Sequence, residues 1–233
     1  MTEAPDFDSL SNSEVEAMPL DRLALLVLAH AKRTSAWNWR NWMLGFEERQ
    51  ARGHSGATNA AAEAWNWLIT HGLLATSKKG NYDFHGVHIT RAGERALERG
   101  LGFVRATFRL DVDLVPVLEQ KVRPQFAQGD FELAAFAAMR EVEIAVRQAA
   151  GLGGDLIGVG LMQEAFKKGG PLFDENAHPA ESVAQMNLYA GAIGLFKNPP
   201  SHRRVDYDDP SEASEVVLLA DLLLRLLERR AKD

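Results

Sequence analysis

The segment FKNPPSHRR, residues 196–204, gathers Lys197, Asn198, His202, Arg203 and Arg204 around a proline pair. Proline lacks an N–H and fixes φ, so Pro199 and Pro200 stiffen the backbone between Asn198 and Ser201. Side chains carried on a stiff turn lose little freedom when a ligand orders them. A histidine that titrates near neutrality, set among cations, suits cleavage of a phosphodiester by its own neighbouring hydroxyl. The imidazole moves a proton at the attacking 2′-oxygen or the leaving 5′-oxygen, and cations stabilise the charge gathering on phosphorus. Like charge from Arg203 and Arg204 is expected to lower the pKa of His202 and keep it neutral and basic. The same residues also fit a plain turn shaped by asparagine and proline, with the histidine at the surface.

Two further pairs of residues bear on chemistry. Glu143 and Arg147 are four apart on one expected helix, the spacing of a structural ion pair or of side chains supporting a cleft. His178, near Asp174 and Glu175, has no matching His/carboxylate spacing elsewhere, so no metal site is expected. The chain has no cysteine, which removes disulfides, thiolate nucleophiles and cysteine-ligated zinc or iron–sulfur centres. No cofactor is implied.

The elements that must position these groups fall into two textures. Residues 1–21 carry six acidic side chains and no Lys or Arg, and are expected to form a disordered leader over about 1–20 or to lie over the basic part. Residues 22–110 hold thirteen Lys/Arg against six Asp/Glu, whereas residues 111–233 hold thirteen against twenty. A basic stretch beside an acidic one argues for two modules. No basic and apolar leader marks a secretory signal, and no run approaches the roughly 18–20 apolar residues of a membrane span. A soluble cytoplasmic protein with no membrane partner is therefore expected.

In the basic stretch, Asp21 is expected to cap a helix through Arg33, with Leu23, Leu26, Val27 and His30 on one face. Trp39, Trp42, Met43 and Phe46 share a face of a second helix. A third is expected to start at Thr58 or Asn59 and to end at Gly72. Leu73–Thr76 and Tyr82–Ile89 read as short strands around a KKGN turn, and Thr90 starts another helix. The five tryptophans, residues 37, 39, 42, 65 and 67, read as core with some partner surface. From 111 onward the pattern is of long helices. One is bent near Pro124. Another is capped by Asp130 and carries an apolar stripe at Leu133, Phe136, Ala137, Ile144 and 146–149. A third contains Gly191 and Gly194, and the last is capped by Asp209 with Pro210 and Glu212 in its first turn. This is an all-α bundle.

Three helices, a hairpin and a helix resemble the winged helix-turn-helix order over about residues 21–105, carried by HGLLATSKKGNYDFHGVHITRAGERAL. The resemblance implies a DNA- or protein-docking module. The outward face of its third helix offers Asn59, Glu63, Asn66 and Thr70 and no arginine. Lys78 and Lys79 in the wing suit nucleic-acid phosphates better than bases.

REVEIAVRQAAGL, GLMQEAFKKGGPLF and NLYAGAIGLFKNPPSHRR together resemble the C-terminal domain of the Ymh family, a branch of the HEPN superfamily, over about residues 111–233. That resemblance implies a HEPN-like helical bundle, a homodimer with a composite cleft, and a metal-independent endoribonuclease in prokaryotic antiphage defence, abortive infection or a toxin-like role. The family's motif is Arg, a polar residue, a spacer and His. Asn198 then takes the polar position and His202 the general acid/base position, and Lys197 stands where arginine is usual. Lysine keeps the charge but loses the bidentate fork onto phosphate. Arg203 and Arg204 would hold the RNA backbone. A related HEPN type carries tyrosine two residues after the histidine; that position here is Arg204. The alternatives are a non-catalytic RNA- or protein-binding scaffold built on a degenerate HEPN dimer, and a winged-helix DNA-binding regulator.

Overall fold

A computed structural model describes residues 6–77, 86–197 and 210–230. The chain divides into two compact units, Met1–Val104 and Arg105–Asp233. It is mainly helical, with one two-stranded antiparallel sheet among the described residues.

The first unit begins with a 3-10 turn, Phe7–Ser9, and helix α1, Asn12–Ala17. Ser11 and Glu14 form a reciprocal capping box. Residues 6–17 are thus folded and not a disordered leader, and their acids meet the basic Arg33, the other arrangement left open by the sequence. Phe7, Leu10 and Val15 are the reason: burying these three apolar side chains outweighs the local density of acidic charge. Phe7 is 2% exposed, its ring within 5.3 Å of those of His30 and Phe46. Asp6 and Asp8 divide the guanidinium of Arg33 between them, each at 2.6 Å.

Helix α2, Leu20–Arg33, follows Pro19, so Asp21 lies in its first turn instead of at the cap. Helix α3, Trp39–Phe46, is capped by Asn38 and runs into a π-helical turn, Glu47–Ala51. Helix α4, Ser55–Thr70, starts earlier than Thr58 because the His54 Nδ1 accepts from the Ala57 N–H. Ala57, Ala61, Ala64, Trp65 and Leu68 then keep a helical spacing of buried residues against α2. Gly72, at φ 67, ends the helix. Strands β1, Leu74–Thr76, and β2, Val87–Ile89, pair Leu74 with Ile89 and Thr76 with Val87. Helix α5, Arg91–Arg109, is started by the Thr90 hydroxyl, which accepts from the Gly93 N–H, and is interrupted at Gly100 (φ 79). Trp42 and Trp65 are buried 4.9 Å apart, while Trp37 is exposed.

In the second unit, α6 (Pro116–Lys121) and α7 (Arg123–Gln128) are separated by a break at Val122, one turn's edge before Pro124. Helix α8, Phe131–Ala150, packs along α11, Pro210–Arg230. Asp130 holds the cap position of α8 without a side-chain hydrogen bond. The buried stripe of α8 is also rotated from the expected one. Ala134, Ala135, Ala138, Met139, Val142 and Val146 face the core, and Leu133 is 50% exposed. Small alanines let the α11 backbone approach more closely than leucine would, and that close packing decides the orientation. Helix α9, Gly158–Phe166, packs on α10, Pro179–Ala192, which continues as a π-helical turn, Ile193–Lys197. Gly194 faces Val159 at close range, whereas Gly191 faces open space, so only the first of this pair serves a close approach. Two buried polar groups are matched across the bundle: the Tyr189 hydroxyl donates to the Leu223 carbonyl, and Asp221 accepts from the Val115 N–H. Among the described residues no helix is long and apolar enough to cross a membrane.

Candidate functional site

Glu143 sits mid-way along α8 on its buried side and is 5% exposed. A carboxylate there needs partners, since an unpaired charge away from water is strongly unfavourable. Three elements supply them. One turn further along α8, the Arg147 NH2 donates to Glu143 Oε1 at 2.9 Å and to the Leu156 carbonyl at 2.9 Å. The N–H of Gly158, at the start of α9, donates to Glu143 Oε2 at 3.2 Å. The Lys197 Nζ, at the end of the π-helical turn, lies 3.1 Å from the same oxygen. Gly158 has φ 59, a left-handed conformation that favours glycine, so its identity aims this N–H.

Burial alone would push the Glu143 carboxyl up, but hydrogen bonds from Arg147 and Lys197, the nearby Lys197 charge and the Gly158 N–H outweigh it and hold the group below the ordinary carboxylate range. Glu143 is therefore ionised and acceptor-only near neutrality, a poor proton donor and a good anchor. Two cations on one carboxylate leave the cluster with a net positive charge. The side chains of Lys197 and Arg147 keep 16% and 23% exposure, so both still reach the surface. The Arg147 Nε is buried and has no hydrogen-bond partner among the described residues. A part-exposed cationic pair of this kind attracts an anion such as phosphate.

The fold thus brings together Lys197, Glu143 and Arg147 from the residues singled out by sequence. Asn198, His202, Arg203 and Arg204 lie outside the described residues, as do Lys78, Lys79, the KKGN turn and Asp209. Asn198 is nonetheless the next residue after Lys197, so the segment that carries His202 begins at a side chain fastened to α8. Two participants had no sequence signal as site residues: the Leu156 carbonyl and the Gly158 N–H. Only the glycine, one of several near 151–160, offered a hint.

Elsewhere, the Asp174 Oδ1 accepts the N–H groups of Asn176 and Ala177, and the His178 Nδ1 accepts that of Ala180, so these residues shape a loop and a helix start. Among the described residues no three His, Asp or Glu side chains cluster as metal ligands would. On α4, Asn59, Glu63, Asn66 and Thr70 are exposed.

Residues 113–227 match the model of a family described as a protein of unknown function, Hypoth_Ymh, which supports the Ymh family for the second unit. Comparison with curated proteins and comparison with solved structures each gave no match.

Proposed function

We propose that this Ymh-type chain is a metal-independent endoribonuclease of the HEPN kind, its second unit a HEPN-like bundle acting as a homodimer in prokaryotic antiphage defence. The observation that carries the reading is the buried Glu143 carboxylate gripping Lys197 and Arg147 immediately before the Asn198–Arg204 segment. In-line attack of a 2′-hydroxyl on its own phosphate needs a proton acceptor, a proton donor for the leaving 5′-oxygen and cations at the phosphorane. His202 supplies the proton transfers. Lys197, held by Glu143, stabilises the added negative charge, and Asn198 orients the phosphate or the imidazole. Arg147 makes up for the fork lost where lysine replaces arginine, because it shares the carboxylate with Lys197. Arg203 and Arg204 hold the RNA backbone. The products are a 2′,3′-cyclic phosphate and a free 5′-hydroxyl.

For the first unit, helices α2, α3 and α4 followed by an antiparallel strand pair and a further helix support a winged helix-turn-helix-like module, with α1 preceding it. The uncharged and acidic outward face of α4 favours docking of a protein over base readout, with Lys78 and Lys79 left for phosphates. A second reading rests on one feature: the Lys197 ammonium is already engaged by Glu143, as in a scaffold that binds RNA or protein without cutting. Incubating the purified full chain with end-labelled RNA in EDTA, beside His202→Ala, separates the two. Cleavage lost in the variant supports the nuclease; equal or absent cleavage supports the scaffold.

A further inference from the structure

Helix α9 ends at Phe166, and the sequence that follows, Lys167-Lys168-Gly169-Gly170, turns the chain back along it. Gly169 has φ 75, and a Cβ on Gly170 would lie 2.5 Å from the Glu164 carbonyl oxygen, so both glycines are needed for this turn. The returning strand of chain satisfies a helix-end carbonyl, the Leu172 N–H donating to Ala165 O at 2.8 Å. It also places Phe173 with Phe166 on the wall of a half-open cavity of about 230 Å³, bordered by Val183 and Met186 of α10. That volume falls below the roughly 300–1,000 Å³ of sites enclosing drug-sized ligands and suits a single planar ring.

Two polar features break the apolar lining. Ser182 lines the cavity and is 6% exposed, and its Oγ is buried with no hydrogen-bond partner among the described residues. Buried hydroxyls are almost always bonded, so this one calls for a partner. A hydroxyl both donates and accepts, so it reads a ring edge carrying nitrogen or oxygen, whereas an alkyl chain would leave it unsatisfied. At the rim, Lys167 pairs with Glu164 at 2.5 Å, while Lys168 is exposed and makes no ion pair among the described residues.

We propose that this cavity is a nucleotide subsite: a nucleobase stacks against the half-buried Phe173 above the buried Phe166, whose own ring packs on Tyr189; the base edge bonds the Ser182 hydroxyl, and the phosphate is held by Lys168. Aromatic walls accept any base by its face, a single hydroxyl grades the bases by their edges, and a lysine meets phosphate as a point charge. The proposal rests on the RNA-cleaving reading, for which it supplies a base-selecting contact remote from the scissile bond: the cavity lies at the end of α9 and the start of α10, whereas Lys197 closes the turn that follows α10.

The test titrates the full chain, carrying His202→Ala so that cleavage plays no part, with 5′-AMP, GMP, CMP and UMP by calorimetry in EDTA. Millimolar binding that weakens with salt is expected, with unequal affinities among the bases. Phe173→Ala and Lys168→Glu should each weaken binding about tenfold or more, and Ser182→Val should level the bases, with circular dichroism unchanged in all three. No nucleotide binding at 20-fold above about 1 mM overturns the subsite. So does benzoate or inorganic phosphate binding as tightly as any nucleotide, or binding indifferent to Phe173→Ala. Nucleotide binding without RNA cleavage by the unmodified chain keeps the subsite and removes the nuclease. Cleavage without nucleotide binding does the reverse.

Discussion

Replacing Glu143 by glutamine keeps the side-chain volume and removes the charge that ties three elements together. The carboxylate makes two charge-assisted contacts, with Lys197 and Arg147, and accepts one backbone N–H. A hydrogen bond to a charged group is worth about 1 kcal/mol more than a neutral one, so two of them account for roughly 2 kcal/mol. Breaking a fully buried pair costs about 3–5 kcal/mol, but both cations here keep some contact with water, which holds the figure lower. In a unit of this size that loss corresponds to a fall in melting temperature of roughly 6 °C. All five tryptophans lie between 37 and 67, so their fluorescence follows the first unit while far-ultraviolet circular dichroism follows both. The expected result is a dichroism transition lowered by that amount, with Glu164→Gln, at an exposed pair, changing stability by less than about 1 kcal/mol. The sign with pH is fixed too. Glu143 titrates lower in the folded chain than in the unfolded one, so its contribution is present above the unfolded value of about 4.3 and disappears as pH falls through the folded one. The gap between the native chain and Glu143→Gln should therefore close in acid. A Glu143→Gln effect no larger than that of Glu164→Gln, or a gap that widens in acid, refutes the idea of a charged anchor.

Further outcomes follow from the first unit and the turn after α9. Phe7→Ala should destabilise the first unit by about 3–4 kcal/mol, seen as an earlier tryptophan transition in urea; a change under 1 kcal/mol would mean the leader is not part of the core. Burial lowers the His30 pKa against the opposing pull of Asp8, with Arg33 and Arg49 adding to the lowering. Because its folded value lies below the unfolded one of about 6.5, stability should fall as pH drops below that value, and nuclear magnetic resonance titration of the imidazole should give a value under 6.5. A value above it contradicts the burial argument. Gly170→Ala should lower the dichroism transition and weaken nucleotide binding together, because a Cβ there meets the Glu164 and Ala165 carbonyls; a variant as stable as the native chain would show that the turn relaxes freely.

Much of the fold was legible from local chemistry. Gly72 and Thr90 mark a helix end and a helix start because a left-handed residue and a capping hydroxyl act within a few residues of themselves. The start of α4 was misjudged because histidine is an uncommon cap, and its imidazole replaced the expected threonine or asparagine. The α8 stripe was misplaced because leucine and phenylalanine outweigh alanine on any hydropathy scale, while the close α8–α11 contact needs alanine. For residues 6–17 the acidity is legible but does not choose between a disordered leader and one lying over basic side chains, because Arg33 and His30 become neighbours only once α2 is packed. At the site, the Glu143–Arg147 pair follows from helical spacing. Its extension to Lys197 does not, since it depends on how a π-helical turn delivers a lysine across the bundle to α8.

Single-turnover cleavage of a short RNA, with the product ends identified, tests the central claim most directly. The account predicts metal-independent formation of 2′,3′-cyclic phosphate ends, abolished by His202→Ala, strongly slowed by Lys197→Ala and retained by Lys197→Arg, all with native circular dichroism. Cleavage that persists in His202→Ala, or that leaves 3′-hydroxyl ends, contradicts it.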